Sequence, residues 1–146
     1  MQNFFLESDI DSPKIELEKD NGIFRFTGFS FPENTELFYN PIIIWFENYF
    51  KAPNVYTLIE FNLEYFNTST SKVFMHLFNL FSKHYNKGID IQINWFYFDE
   101  DEDIQESGIN YKMLNSVPFN LIPYSIDYID RKEEVYNTSL LRGVLV

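Results

Sequence analysis

Four consecutive hydroxyl residues, Thr68-Ser69-Thr70-Ser71, lie between Asn67 and Lys72, directly after the strand-like run Leu63-Glu64-Tyr65-Phe66. A hydroxyl at a helix start can accept from an orphan backbone N–H, which contributes roughly 1 kcal/mol. The same unpaired amides, with the positive end of the helix dipole, can also stabilise a phosphate esterified to one of these side chains. Taken alone, the segment fits capping first, because most hydroxyls so placed are only caps. A second cluster, Asp99-Glu100-Asp101-Glu102-Asp103, has the hard oxygen donors that suit calcium or magnesium. Counted as an EF-hand loop from Asp99, it has Ile104 where the sixth position needs Gly and Asn110 where the twelfth needs Glu. The run therefore reads as a solvated helix start or as charge facing a partner. His76 and His84 are eight residues apart, whereas helical metal sites prefer a spacing of three or four, and no cysteine can complete a set. Neither a G-x-S-x-G elbow, nor a Walker A loop, nor a G-x-G-x-x-G turn occurs. Catalysis has no visible seat, so the chain is expected not to be an enzyme and to need no cofactor or metal.

The elements that must carry these residues follow from periodicity and turn chemistry. Ile15 and Leu17 alternate with charges as a first strand, and Asp20-Asn21-Gly22 turns the chain into Ile23–Phe29. Phe38, Ile42, Trp45, Phe46 and Tyr49 have helical spacing, in a helix opened by Pro32-Glu33-Asn34. Pro41 must either kink that helix or begin its main segment. Val55, Thr57, Ile59, Phe61, Leu63 and Tyr65 line one face of the next strand. A second helix from the Asn67–Ser71 caps to Lys87 buries Val73, Leu77, Leu80 and Phe81, and Gly88 stops it. Ile89, Ile91, Ile93, Trp95 and Tyr97 form another strand, and the acidic run leads a third helix with Ile104, Tyr111 and Leu114. Pro118–Ile122 reads as a closing edge strand. The expected class is α/β: a single domain with a mixed β-sheet packed against about three helices, in the order β-β-α-β-α-β-α.

Composition bounds the function. The 146 residues fit one domain, 1–146, with a core over about 12–122 and an uncertain C-terminal extension over 123–146. A hydrophobic content of 45%, with 17 Phe and 10 Tyr, supplies ample core and argues against disorder. With 22 acidic against 11 basic residues and a net charge of −11, the field would repel nucleic acid. The start of the chain, Met1 to Ser12, has no basic region followed by a long apolar run. The longest apolar cluster, Pro41–Phe46, is too short to span a bilayer. The expected address is the cytoplasm, with no membrane contact.

Four segments in order carry a resemblance: Ser30-Phe31-Pro32-Glu33-Asn34; Phe38-Tyr39-Asn40-Pro41 with Trp45; Tyr65-Phe66-Asn67-Thr68-Ser69; and Trp95-Phe96-Tyr97 ahead of the acidic run. Together they resemble the SiaC family of bacterial regulatory phosphoproteins, over about Ser12 to Phe119. The resemblance implies a STAS-like fold, similar to anti-sigma-factor antagonists, and a partner-switching role in signal transduction. It implies that Thr68 is phosphorylated by a cognate Ser/Thr kinase and restored by a PP2C-like phosphatase. It further implies that the unphosphorylated form binds an output partner such as a diguanylate cyclase, raising cyclic di-GMP and promoting biofilm formation. On that reading Asn67, Ser69, Thr70, Ser71 and Lys72 form the switch loop, with Lys72 meeting the phosphate from the first helical turn. Thr70 stands where the family often has Ser, which leaves Ser69, Thr70 and Ser71 as rival acceptors. The segment from Tyr124 to Val146 extends beyond the resemblance and is expected to be a partner-specific addition. A constitutive interaction adaptor is the alternative, and a metal-binding protein using Asp99–Asp103 a more distant one.

Overall fold

The computed structural model describes residues 1–125 of the chain, so the part of the C-terminal extension beyond Ser125 lies outside the described residues. Six strands and three helices follow in the order β1 (Phe4–Leu6), β2 (Lys14–Glu18), β3 (Ile23–Ser30), α1 (Thr35–Tyr49), β4 (Thr57–Phe66), α2 (Thr68–Asn86), β5 (Ile91–Phe98), α3 (Glu102–Leu114) and β6 (Phe119–Tyr124). The expected β-β-α-β-α-β-α series is present. It is preceded by the short edge strand β1 and closed by β6, the edge strand expected at Pro118–Ile122.

Spatial strand order equals sequence order, with β1–β2–β3 antiparallel and β3–β4–β5–β6 parallel. Each parallel step adds the next strand on the same side. Because βαβ crossovers are right-handed, α1, α2 and α3 must all lie on one face of the sheet. Buried side chains obey this. Ile15, Leu17, Phe24, Phe26, Ile59, Phe61, Ile91, Ile93 and Trp95 point toward the helices and join Tyr39, Phe46, Tyr49, Phe74, Phe78, Phe81 and Tyr111 in one core. Its centre is aromatic, with Phe26 stacked on Phe61 at 4.5 Å and Phe78 edge-on to Tyr111 at 4.8 Å. Such pairs contribute about 0.5–1.5 kcal/mol each beyond area burial. The opposite face is polar over β2–β4, where Arg25 Nε donates to Glu60 Oε1 at 3.1 Å across the β3–β4 ladder.

Local chemistry explains the element ends and four departures from expectation. Gly22 closes the β2–β3 turn with φ of 65°. Pro41 sits inside α1 on its exposed side, where water can serve the Leu37 carbonyl that loses its donor; the helix is continuous from Thr35 to Tyr49, so Pro41 does not begin a separate segment. Val55 is 96% exposed because β4 begins only at Thr57. In α2 the buried stripe is Thr70, Phe74, Leu77, Phe78 and Phe81, rotated from the expected one, with Val73 and Leu80 at its margin. The β3–β4 register also shifts: Gly28 faces Leu63 but Phe29 faces Tyr65. Glu64 is therefore an extra residue in β4. This bulge reverses the inward phase, turning Tyr65 out and Phe66 in, onto Phe74 and Trp95.

Candidate functional site

Because β3 to β6 run parallel, Ser30, Phe66, Phe98 and Tyr124 all end at one edge of the sheet. The hydroxyl run enters there. Asn67 follows the bulged end of β4, adopts extended backbone and caps α2, accepting from Thr70 N–H at 2.9 Å through Oδ1. The amide of Asn67 donates to the Ser30 carbonyl at 3.0 Å, which ties the cap to β3. Capping, the simple role available to these hydroxyls, is thus performed by the Asn67 amide side chain.

The four hydroxyls have different surroundings. Thr68, the first helical residue, and Ser69 are exposed, and among the described residues neither hydroxyl has a hydrogen-bond partner. Thr70, expected in the exposed switch loop, is instead fully buried. Its hydroxyl lies 2.9 Å from Ser30 Oγ and donates to the Ser30 carbonyl at 3.1 Å. Ser30 Oγ is 2.6 Å from the buried Tyr39 hydroxyl. Burial pushes the Tyr39 phenol up beyond the usual tyrosine range, against the opposing hydrogen bonds to Ser30 and Thr70. Ser71 is half-buried and pairs with Tyr111, Oγ to OH at 2.8 Å, and the Tyr111 hydroxyl donates back to the Ser71 carbonyl at 3.0 Å. Burial raises the Tyr111 phenol as well. The geometry therefore presents Thr68 and Ser69 to solvent, and turns Thr70 and Ser71 inward as anchors to β3 and α3.

The same end of the sheet carries surfaces that sequence reasoning missed. Phe29, Phe31 and Tyr65 are 45%, 40% and 51% exposed, with the rings of Phe31 and Tyr65 at 6.0 Å. Of the three, Tyr65 owes its outward placement to the bulge in β4, whereas Phe29 faces out by the period-two alternation of β3 after buried Phe24 and Phe26. On the helix side, a broad groove of about 1280 Å³ runs between the α1 start and α2. It is lined by Pro32, Asn34, Leu37 and Phe38 opposite Ser69, Lys72 and Val73, with Phe4 and Leu6 at one side. The groove is open to solvent and its lining is mainly apolar. Lys72 is exposed, makes no ion pair among the described residues, and stands four positions after Thr68, the spacing that brings helical side chains together.

The other predicted clusters are placed otherwise. Asp101 caps α3 by accepting from Ile104 N–H at 3.0 Å, and Glu102 and Asp103 occupy its first turn. Among the described residues no three His, Cys, Asp or Glu side chains converge as a metal site. His76 is exposed on α2, while His84 stacks on Phe50 at 4.4 Å. No helix among the described residues is long and apolar enough to cross a membrane.

Comparison with known proteins gives a consistent picture. The family model described as "SiaC family regulatory phosphoprotein" matches residues 6–124. An uncharacterised protein of Pseudomonas aeruginosa strain UCBPP-PA14 is 24% identical over 119 residues, covering 82% of this chain and 94% of that protein. Crystal structures from Pseudomonas aeruginosa share the fold. Apo-SiaC superposes with a TM-score of 0.77 at 22% identity, over 84% of this chain and 99% of that one. The chain also matches the structure of the diguanylate cyclase SiaD in complex with its activator SiaC, with a TM-score of 0.79 at 22% identity, over 83% and 99%.

Proposed function

The chain belongs to the SiaC family of regulatory phosphoproteins, and from that premise we propose that it is a non-enzymatic partner switch thrown at Thr68. A cognate Ser/Thr kinase phosphorylates Thr68, a PP2C-like phosphatase restores it, and the unphosphorylated form docks an output partner. A diguanylate cyclase is the partner class to test first, because a structural relative, SiaC, is the activator of the cyclase SiaD. One observation carries the reading: Asn67 caps α2, which leaves Thr68 exposed at the helix N-terminus, next to Ser69 on the wall of the groove.

The mechanism is electrostatic and local. Phosphate adds about −1.5 to −2 charges at pH 7. The α2 dipole and Lys72 accommodate that charge within the protein. A partner surface that is apolar or acidic meets it as desolvation cost and repulsion, and is released. Asn67 and Ser69 shape the turn around the acceptor.

Phosphosite mapping of the protein from its native host, with and without phosphatase, tests the assignment, followed by pull-downs with both forms. The expected result is a removable phosphate on Thr68 and a partner retained only by the unmodified protein. A Thr68→Ala chain that still releases its partner on phosphorylation would sink it.

A further inference from the structure

Ser30, Tyr39 and Thr70 come from three separated stretches of sequence, yet they meet in one buried hydrogen-bonded chain. Its direction can be deduced by counting protons, since each hydroxyl has only one. Thr70 gives its proton to the Ser30 carbonyl, so in the 2.9 Å contact Ser30 Oγ must be the donor and Thr70 Oγ1 the acceptor. That commits the Ser30 proton, so in the 2.6 Å contact the Tyr39 hydroxyl must donate to Ser30 Oγ. The chain therefore runs one way, from α1 through β3 to α2 and back to the Ser30 carbonyl. The same carbonyl also accepts from the Asn67 amide. Burial keeps the Tyr39 phenol protonated, as the head of such a chain requires.

Resting on the reading of Thr68 as acceptor, we infer that Ser30, Tyr39 and Thr70 are positioning residues of the switch, whose hydroxyl chain holds the first turn of α2 wound, displays Thr68 and withholds Thr70. The Thr70 hydroxyl has its proton engaged and its oxygen accepting, inside a fully buried site. Modifying it would require the whole chain to open. Thr68, two residues earlier, is exposed on a turn fixed at both ends: at Asn67 by the Ser30 carbonyl and at Thr70 by the hydroxyls. The turn is thus wound before any kinase or partner arrives, and the exclusion of Thr70 from modification is built into the fold.

The test uses the full-length chain as wild type, Thr70→Val, Thr70→Ser and Tyr39→Phe. Valine matches the shape of Thr70 without its hydroxyl, and serine restores the hydroxyl. Amide hydrogen exchange over positions 70–72 is read beside the thermal midpoint. Thr70→Val and Tyr39→Phe should speed that local exchange about tenfold, while Thr70→Ser stays within about twofold of wild type. In chains isolated from the native host, wild type and Thr70→Ser should carry phosphate on Thr68 and none at position 70, whereas Tyr39→Phe should admit phosphate at Thr70. First-turn exchange in Thr70→Val equal to wild type, or failure of Thr70→Ser to restore it, overturns the inference. So does phosphate on Thr70 of the wild-type chain, or its absence from Thr70 in Tyr39→Phe. If no wild-type chain carries phosphate, the assignment of Thr68 as acceptor fails instead, and the exchange measurement still decides the latch.

Discussion

Phosphorylation of Thr68 should leave the domain as stable as before, or more so. Thr68 is the first residue of α2, and Lys72 stands one turn further on. A dianion at a helix N-terminus gains about 0.3–1 kcal/mol from the macrodipole. A charge pair four residues apart adds about 0.2–0.5 kcal/mol. Against this, net charge moves from −11 to about −13, and self-repulsion takes back part of the gain. A net rise of about 0.3–1.2 kcal/mol corresponds to an increase of about 1–4 °C in Tm for a domain of this size. The assay is a circular-dichroism melt of a chain carrying phosphothreonine at position 68 alone, at low salt and at 1 M salt. The increment should shrink by more than half at high salt, where the Debye length is about 3 Å. A fall of more than about 2 °C on phosphorylation would refute the reasoning, because the phosphate would then act by unwinding α2. An increment indifferent to salt would refute its electrostatic origin.

Two further expectations concern other parts of the molecule. A Cβ at Gly108 would lie 2.5 Å from Trp95 Cδ1 and 2.7 Å from Leu121 Cδ2. Overpacking costs about 1–3 kcal/mol and helix propensity returns up to about 1. Gly108→Ala should therefore destabilise by about 1–2 kcal/mol in urea unfolding, and an unchanged midpoint would mean that α3 sits farther from the sheet. His84 has its pKa lowered by burial, then by Lys87 and Lys83. The unfolded chain therefore binds the proton more readily, so this residue subtracts stability as pH falls below about 6.5 and has no effect above it. His84→Phe, which keeps an aromatic ring against Phe50, should flatten that part of the stability profile relative to wild type; coincident profiles would argue against it.

How much of this was legible depends on whether a residue's role was set locally. The β2–β3 hairpin was, because Asn21-Gly22 suits a tight turn and the flanking alternation has period two. So was β5, whose Ile91, Ile93, Trp95 and Tyr97 face inward as expected. The α2 stripe was legible only in part. With Val73, Phe74, Leu77, Phe78, Leu80 and Phe81 crowded together, two overlapping faces fit a helical period, and packing against Phe61 and Trp95 selects one. Tyr39 escaped notice beside Phe38 for the same reason. Strand β1, three residues long, has too few residues for a pattern and exists through its pairing with β2. At the site, a cap within Asn67–Ser71 followed from position at a strand–helix junction, but that Asn67 rather than a hydroxyl supplies it did not. The burial of Thr70 did not, because it depends on Ser30 and Tyr39, 40 and 31 positions away along the chain.

The alternation of strand directions also gives the molecule a practical polarity. β1 runs with β3, so the first residues lie at the edge of the sheet opposite Thr68, where Gln2 accepts from the Trp45 indole. β6 instead delivers Tyr124 to the Thr68 edge. A surface or dye attached through the amino end leaves the switch edge facing outward, whereas one grafted just after Tyr124 would crowd it. Binding measured in those two orientations should differ for reasons of access alone, and the amino-terminal attachment is the one to choose for comparing phosphorylated and unmodified protein.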